Sequence, residues 1–171
     1  YVDMIPSRFS RVPALIASRM LPIDAAFIQI TPPDEAGYCS LGMAVDVARQ
    51  AMEQASMVIG EINTQTPRTY GDTFVHLSEF DLLVRSEDTP IYFRRWPFDS
   101  VIEQVAANVA SVIEDGSCIC FSIGPIYEAL SKFLMVKHNL GIHTPFFTDA
   151  LMDLVRSGAV TNRNKGAYHG K

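Results

Sequence analysis

The chain has 171 residues, 48% of them apolar, and a formal net charge of −5. That apolar content supports one domain with a real core, or parts of two. The acidic balance and the scattered Lys and Arg exclude a generic nucleic-acid-binding face, and no apolar run reaches the roughly 18–20 residues that span a bilayer.

In chain order, residues 1–20 mix the turn prolines Pro6 and Pro13 with a short helical pattern around 12–20, and residues 25–31 form the first strong strand pattern. Pro32 and Pro33 then end pairing, because neither donates a backbone hydrogen bond. Asp34, Glu35, Ala36 and Gly37 supply turn chemistry. The small-residue corner Ser40-Leu41-Gly42 opens an expected helix over 43–54, where Ala44, Val47, Ala48 and Ala51 recur at a 3–4 residue period. Residues 57–63 read as a second strand, so 25–63 predicts a βαβ unit of a parallel sheet. A strand opening into a shaped loop is where open α/β sheets place ligands.

Beyond the loop 64–72, short and partly exposed strands are expected over 73–75 and 81–85. Residues 86–97 hold Asp88, Pro90 and Pro97 and read as an interdomain connection on which Trp96 acts as an anchor. The grammar then restarts. A helix is expected over 99–114, with Val101, Ile102, Val105, Val109, Val112 and Ile113 as its buried stripe and Gly116 at its C′ position. Residues 117–123 predict a buried strand, Gly124-Pro125 the turn into a helix over 126–137, and 142–148 a short strand and loop. The last helix is expected over 149–157, capped by Asp149 and closed by Gly158. Cys39, Cys118 and Cys120 lack disulfide or metal spacing and read as reduced core thiols; no metal is expected.

The run Pro32-Pro33-Asp34-Glu35-Ala36-Gly37-Tyr38-Cys39-Ser40-Leu41-Gly42 resembles the signature loop of the acetyl-CoA hydrolase/4-hydroxybutyrate CoA-transferase family. Glu61-Ile62-Asn63, Pro67-Arg68-Thr69 with Gly71 and His76, and Glu114-Asp115-Gly116 agree in order and spacing. So do Leu140-Gly141-Ile142-His143-Thr144, Thr148-Asp149 and Gly158-Ala159-Val160-Thr161-Asn162. The resemblance covers essentially the whole chain and implies an α/β fold made of parts of two CoA-transferase-like (NagB/RpiA-like) open-sheet domains. Residues 1–88 would be the later part of the N-terminal domain, 89–98 a proline-rich linker, and 99–171 the beginning of the C-terminal domain. The chain resembles the central part of longer members, so a fragment is expected that needs its missing parts or a companion subunit.

The resemblance also implies chemistry. Members move coenzyme A between a short-chain acyl-CoA and a small carboxylate, or hydrolyse the thioester, through a glutamate nucleophile. An attacking carboxylate needs orientation and a site for the developing oxyanion. That glutamate follows the Gly-Ile-His-Thr step, and here the position is Pro145, which carries no nucleophile. Asp149 and His143 are the nearest substitutes, with Glu128 and Glu61 behind them. Ser122-Ile123-Gly124-Pro125-Ile126 matches the family's CoA-binding loop, whose backbone N–H groups and helix N-terminus approach the ligand. Tyr38, Asn63 and Arg68, with Cys39, are candidates for the substrate pocket; Arg68 suits bidentate carboxylate recognition. The alternative is a CoA- or acyl-CoA-binding sensor or subunit without the catalytic glutamate. A homo-oligomer in the cytoplasm, with no nucleic-acid or membrane partner, completes the expectation.

Overall fold

The computed structural model describes residues 4–170. The fold divides into two compact units, one ending at Ile91 and the other beginning at Tyr92.

The first unit is built on three parallel strands: β1 (Ala25–Ile30), β3 (Met57–Asn63) and β5 (Leu82–Ser86), in the order β1-β3-β5. Register runs from Ala25↔Met57 to Ile30↔Ile62, and from Ile59↔Leu82 to Asn63↔Ser86. Alternation along β1 buries Ala26, Ile28 and Ile30 against Met52 and Ala48 of helix α2 (Ala48–Gln54). Its other face is open, with Phe27 78% exposed. A short helix α1 (Val12–Ala17) precedes the sheet.

Two features depart from expectation. Strand β2 (Tyr38–Ser40) pairs antiparallel with β4 (Phe74–His76), a ladder hidden in what reads as a corner. Helix α2 starts at Ala48 rather than at residue 43. The Asp46 carboxylate accepts the N–H of Val47, and such local side-chain bonds hold a segment in turns at the expense of helix.

The second unit packs α3 (Ser100–Ser111), α4 (Pro125–Leu134) and α5 (Asp149–Arg156) against a parallel pair, β6 (Cys118–Ile119) and β7 (Gly141–Ile142). Phe121, Leu134, Leu140, Leu151 and Leu154 form its centre. Asp99 caps α3, its carboxylate accepting the Ile102 N–H at 2.9 Å. The valine stripe is not the buried one: Val101 is 67% and Val112 77% exposed, with Val105 and Val109 also exposed. Ala106 and Ala110 are buried instead, with Ile102 and Ile113 partly so. Small residues four apart let α3 lie close to Ala129 and Leu130 of α4, where valines would hold the helices apart.

Helix α3 also ends early, at Ser111, and Gly116 belongs to the next turn, its N–H donating to the His138 carbonyl at 2.9 Å. The expected strand over 117–123 is ordered as strand only at Cys118–Ile119. Cys118 and Cys120 are exposed, so only Cys39 is a core thiol.

A Cβ on Gly60 would meet Leu83 Cδ2 and Phe80 Cδ1, both at 2.8 Å. Gly60→Ala should therefore lower stability by about 1–3 kcal/mol through overpacking. Val101→Lys, on the open face of α3, should stay within about 0.5 kcal/mol of the parent. Urea denaturation of the two variants decides it; equal losses would show that the α3 face is buried.

Candidate functional site

In the first unit the signature loop is a closed turn. Asp34 N–H donates to the Tyr38 carbonyl at 2.9 Å and Gly37 N–H to the Asp34 carbonyl at 3.0 Å. The Asp34 Oδ1 accepts the N–H groups of Ala36 and Tyr38 at 3.1 and 2.8 Å. These backbone donors, Tyr38 foremost, hold the Asp34 carboxyl below its ordinary value, with the Arg68 charge adding to them. Gly37 takes φ +84°, where a side chain would be strained.

Arg68 closes the turn from outside. One guanidinium nitrogen donates to Asp34 Oδ2 at 2.8 Å and another to the Tyr38 carbonyl at 3.2 Å, while the group lies 4.9 Å over the Phe74 ring. Arg68 is thus engaged in holding the loop. Asn63 is fully buried and likewise engaged: its Nδ2 donates to the Asp88 carbonyl at 2.9 Å and its Oδ1 accepts the Gln65 N–H at 2.8 Å. Glu61 accepts a hydrogen bond from Gln29 at 3.2 Å.

Ser40, which sequence reading passed over as part of a corner, is the hub beneath. Its buried Oγ accepts the N–H groups of Gly42 and Thr69, each at 3.1 Å, and lies 3.0 Å from the Thr69 carbonyl. Cys39 is buried with its thiol pushed up by burial, which removes it from any pocket lining. Tyr38 is exposed and meets the His76 ring edge-on at 5.1 Å between centroids.

In the second unit, Gly124 caps α4 at φ 132°, and nothing lies within 4 Å of the place a Cβ would occupy. Pro125 contributes no N–H, so the donors at this helix start are those of Gly124 and Ile126. Ser122 is half-buried and Ile123 exposed. Phe121, just before the loop, packs on Tyr127 at 5.5 Å.

The Thr144 hydroxyl donates to the Phe121 carbonyl, and the His143 N–H donates to Ile119 at 3.0 Å. Those bonds bring the segment carrying His143 and Pro145 beside the 122–126 loop. His143, Pro145 and Asp149 are exposed. Asp149 is not the cap of α5; the Thr148 hydroxyl accepts the Leu151 N–H at 3.4 Å in that role.

A second polar cluster has no local sequence signal. Arg95 donates to Asp153 Oδ2 at 2.5 Å and stands 3.9 Å from Glu128 Oε2. Trp96 and Phe98 share with Glu128, Lys132 and Asp153 a cavity of about 310 Å³. Lys132 Nζ sits 4.4 Å over the Phe98 ring. Burial raises the Glu128 carboxyl above its ordinary value, and Arg95 pulls the other way. Partners 25 to 58 residues apart along the chain made this cluster invisible in the sequence. Among the described residues no group of three or more His, Cys, Asp or Glu could hold a metal, and no helix is long and apolar enough to cross a membrane.

Parallel strands with loops gathered at their carboxyl ends define an open-sheet α/β protein. Residues 1–115 match the acetyl-CoA hydrolase/transferase N-terminal domain, and the chain belongs to that family. It is 39% identical, over 99% of its length, to the 4-hydroxybutyrate coenzyme A transferase of Clostridium kluyveri, and covers 39% of that protein. It is 35% identical to a succinyl-CoA:acetate/propanoyl-CoA:succinate CoA transferase of Fasciola hepatica, covering 99% of this chain and 36% of that one. Among solved structures, RipA from Yersinia pestis superposes with a TM-score of 0.94 at 30% identity, over 99% of this chain and 40% of that one. The 4-hydroxybutyrate CoA-transferase of Porphyromonas gingivalis gives 0.90 at 32% identity, over 95% and 42%. The chain spans about two fifths of the length of the curated relatives it matches.

Because the folded-state Glu128 value lies above the ordinary 4.5, its contribution to stability is present in full below that pH and lost as pH rises through the folded value. Arg95→Ala removes the opposing charge, so the Glu128 carboxyl should titrate higher still. Carbon-13 side-chain titration reads this directly; a downward move would show that Arg95 does not control Glu128.

Proposed function

We propose that this chain is the acyl-CoA-handling part of a CoA-transferase or acyl-CoA thioester hydrolase, acting on a short-chain acyl-CoA and a small carboxylate. The observation that carries the reading is the 39% identity across 99% of the chain to a 4-hydroxybutyrate coenzyme A transferase. Coenzyme A enters as substrate, as its thioester. Ser122, Ile123, Gly124, Pro125 and Ile126 are the proposed contact for the pantetheine end, since an open glycine corner at a helix start lets a ligand approach backbone N–H groups. Tyr38 is proposed to line the acyl pocket. Arg68 and Asn63 support that pocket by fixing its loops, as their hydrogen bonds are taken up within the fold.

The covalent step is where the residues resist. Pro145 has neither a carboxylate to attack a thioester nor an N–H to stabilise one, and Asp149 and His143 are exposed side chains on open loop and helix-start positions. A nucleophilic carboxylate works when burial and orientation assist it. Pro145 therefore favours a second reading: a CoA- or acyl-CoA-binding sensor or subunit, working with the remainder of the family fold in the same or a companion chain. Both readings include a homo-oligomer acting in the cytoplasm.

Titration with acetyl-CoA, followed by mass spectrometry and hydroxylamine treatment, separates them. The transferase reading expects a CoA adduct on a carboxylate, and the sensor or subunit reading expects saturable binding without a covalent CoA adduct. Gly124→Val should weaken binding roughly tenfold by blocking close backbone approach. A hydroxylamine-sensitive adduct on a carboxylate would return the covalent route to this chain and end the sensor reading. Absence of binding to the protein with the family's remaining segments present would end both.

A further inference from the structure

The imidazole of His76 sits under the signature turn with a partner on each nitrogen. Nδ1 lies 3.2 Å from the Ser78 backbone N–H and 2.7 Å from the Ser78 hydroxyl. A backbone N–H only donates, so Nδ1 must present its lone pair. Nε2 lies 3.2 Å from the Ala36 carbonyl, which only accepts, so Nε2 must carry the proton. Both ends select one neutral tautomer; the other would set N–H against N–H and lone pair against lone pair.

The surroundings admit no easy substitute. A Cβ on Gly37 would lie 2.7 Å from Nε2, so the glycine is what lets the ring reach Ala36. The His76 N–H donates to Glu79 Oε1 at 2.7 Å, and the Leu77 N–H to the Gly37 carbonyl at 3.0 Å. The edge-on contact with Tyr38 then fixes the attitude of that ring.

We propose that His76, as the Nε2–H tautomer, is the positioning residue of the signature loop: it latches Ala36 to the 3-10 turn Leu77–Glu79 and thereby aims Tyr38. The hydrogen bonds stand by themselves; the statement that Tyr38 is thereby aimed at an acyl group rests on the reading under Proposed function.

The first test needs no variant and no ligand. In long-range proton–nitrogen correlation spectra of the chain, the neutral imidazole of His76 should carry its proton on Nε2. Protonation on Nδ1 would overturn the proposal. The second test splits the two ends. In His76→Gln the amide nitrogen reaches the place of Nε2 but the cap to Ser78 is lost; His76→Asn keeps an acceptor for Ser78 and loses Ala36.

Amide exchange in the 36–38 turn should quicken roughly tenfold in His76→Asn, the scale of one lost hydrogen bond, and stay near the parent in His76→Gln. Ser78 exchange should show the reverse. Equal effects of both variants on the turn would overturn the latch. With the latch shown, unchanged acetyl-CoA titration in His76→Asn would separate Tyr38 from the acyl group without touching the tautomer.

Discussion

The parallel pairing of β1 with β3 is the constraint on which the first unit depends. Its register sets Ile30 beside Ile62, so both strands end at one level and their loops emerge together. The β2–β4 ladder and the Ser40 hydroxyl then bind those loops to each other: Thr31 N–H donates to the Ser40 carbonyl at 2.9 Å, and Ser40 Oγ holds Gly42 and Thr69. A one-residue slip would turn Ile28 and Ile30 outward and separate every loop contact above them.

Polar residues at this edge divide into those that build the loop and those left exposed. Asp34, Asn63, Arg68, Ser40 and His76 belong to the first group, since each spends its hydrogen bonds inside the turn system. Exposed Tyr38 remains. In the second unit, Thr144 and Thr148 are likewise structural, and the Gly124 corner is the open element. Residue types that suit catalysis are also those that suit tight turns, and only the hydrogen-bond partners tell the two uses apart.

Much of the architecture was legible because hydrophobic periodicity tracks burial. Alternation in β1 and the apolar run of β3 located the parallel pair, and Gly124-Pro125 located the start of α4. The pattern misled where a helix has two apolar faces: on α3 the valines are the larger apolar side chains, yet close packing against α4 selected Ala106 and Ala110. Three-residue β2 is too short to show a period, and the Arg95 cluster depends on tertiary folding alone. Family membership was legible because its motifs are fixed sequences with spacing, whereas the role of Arg68 waited on knowing that Asp34 sits beside it.

Strand β5 carries Leu82, Leu83 and Val84 in succession, all exposed, on a sheet margin without a neighbour among the described residues. Such a margin offers its backbone as a template for another chain. Asp81 and Arg85 bracket the three, charges of opposite sign at the two ends of a sticky triplet, and gatekeepers of this kind hinder stacking of like segments. The two flanking charges are what this short border sets against pairing with its like.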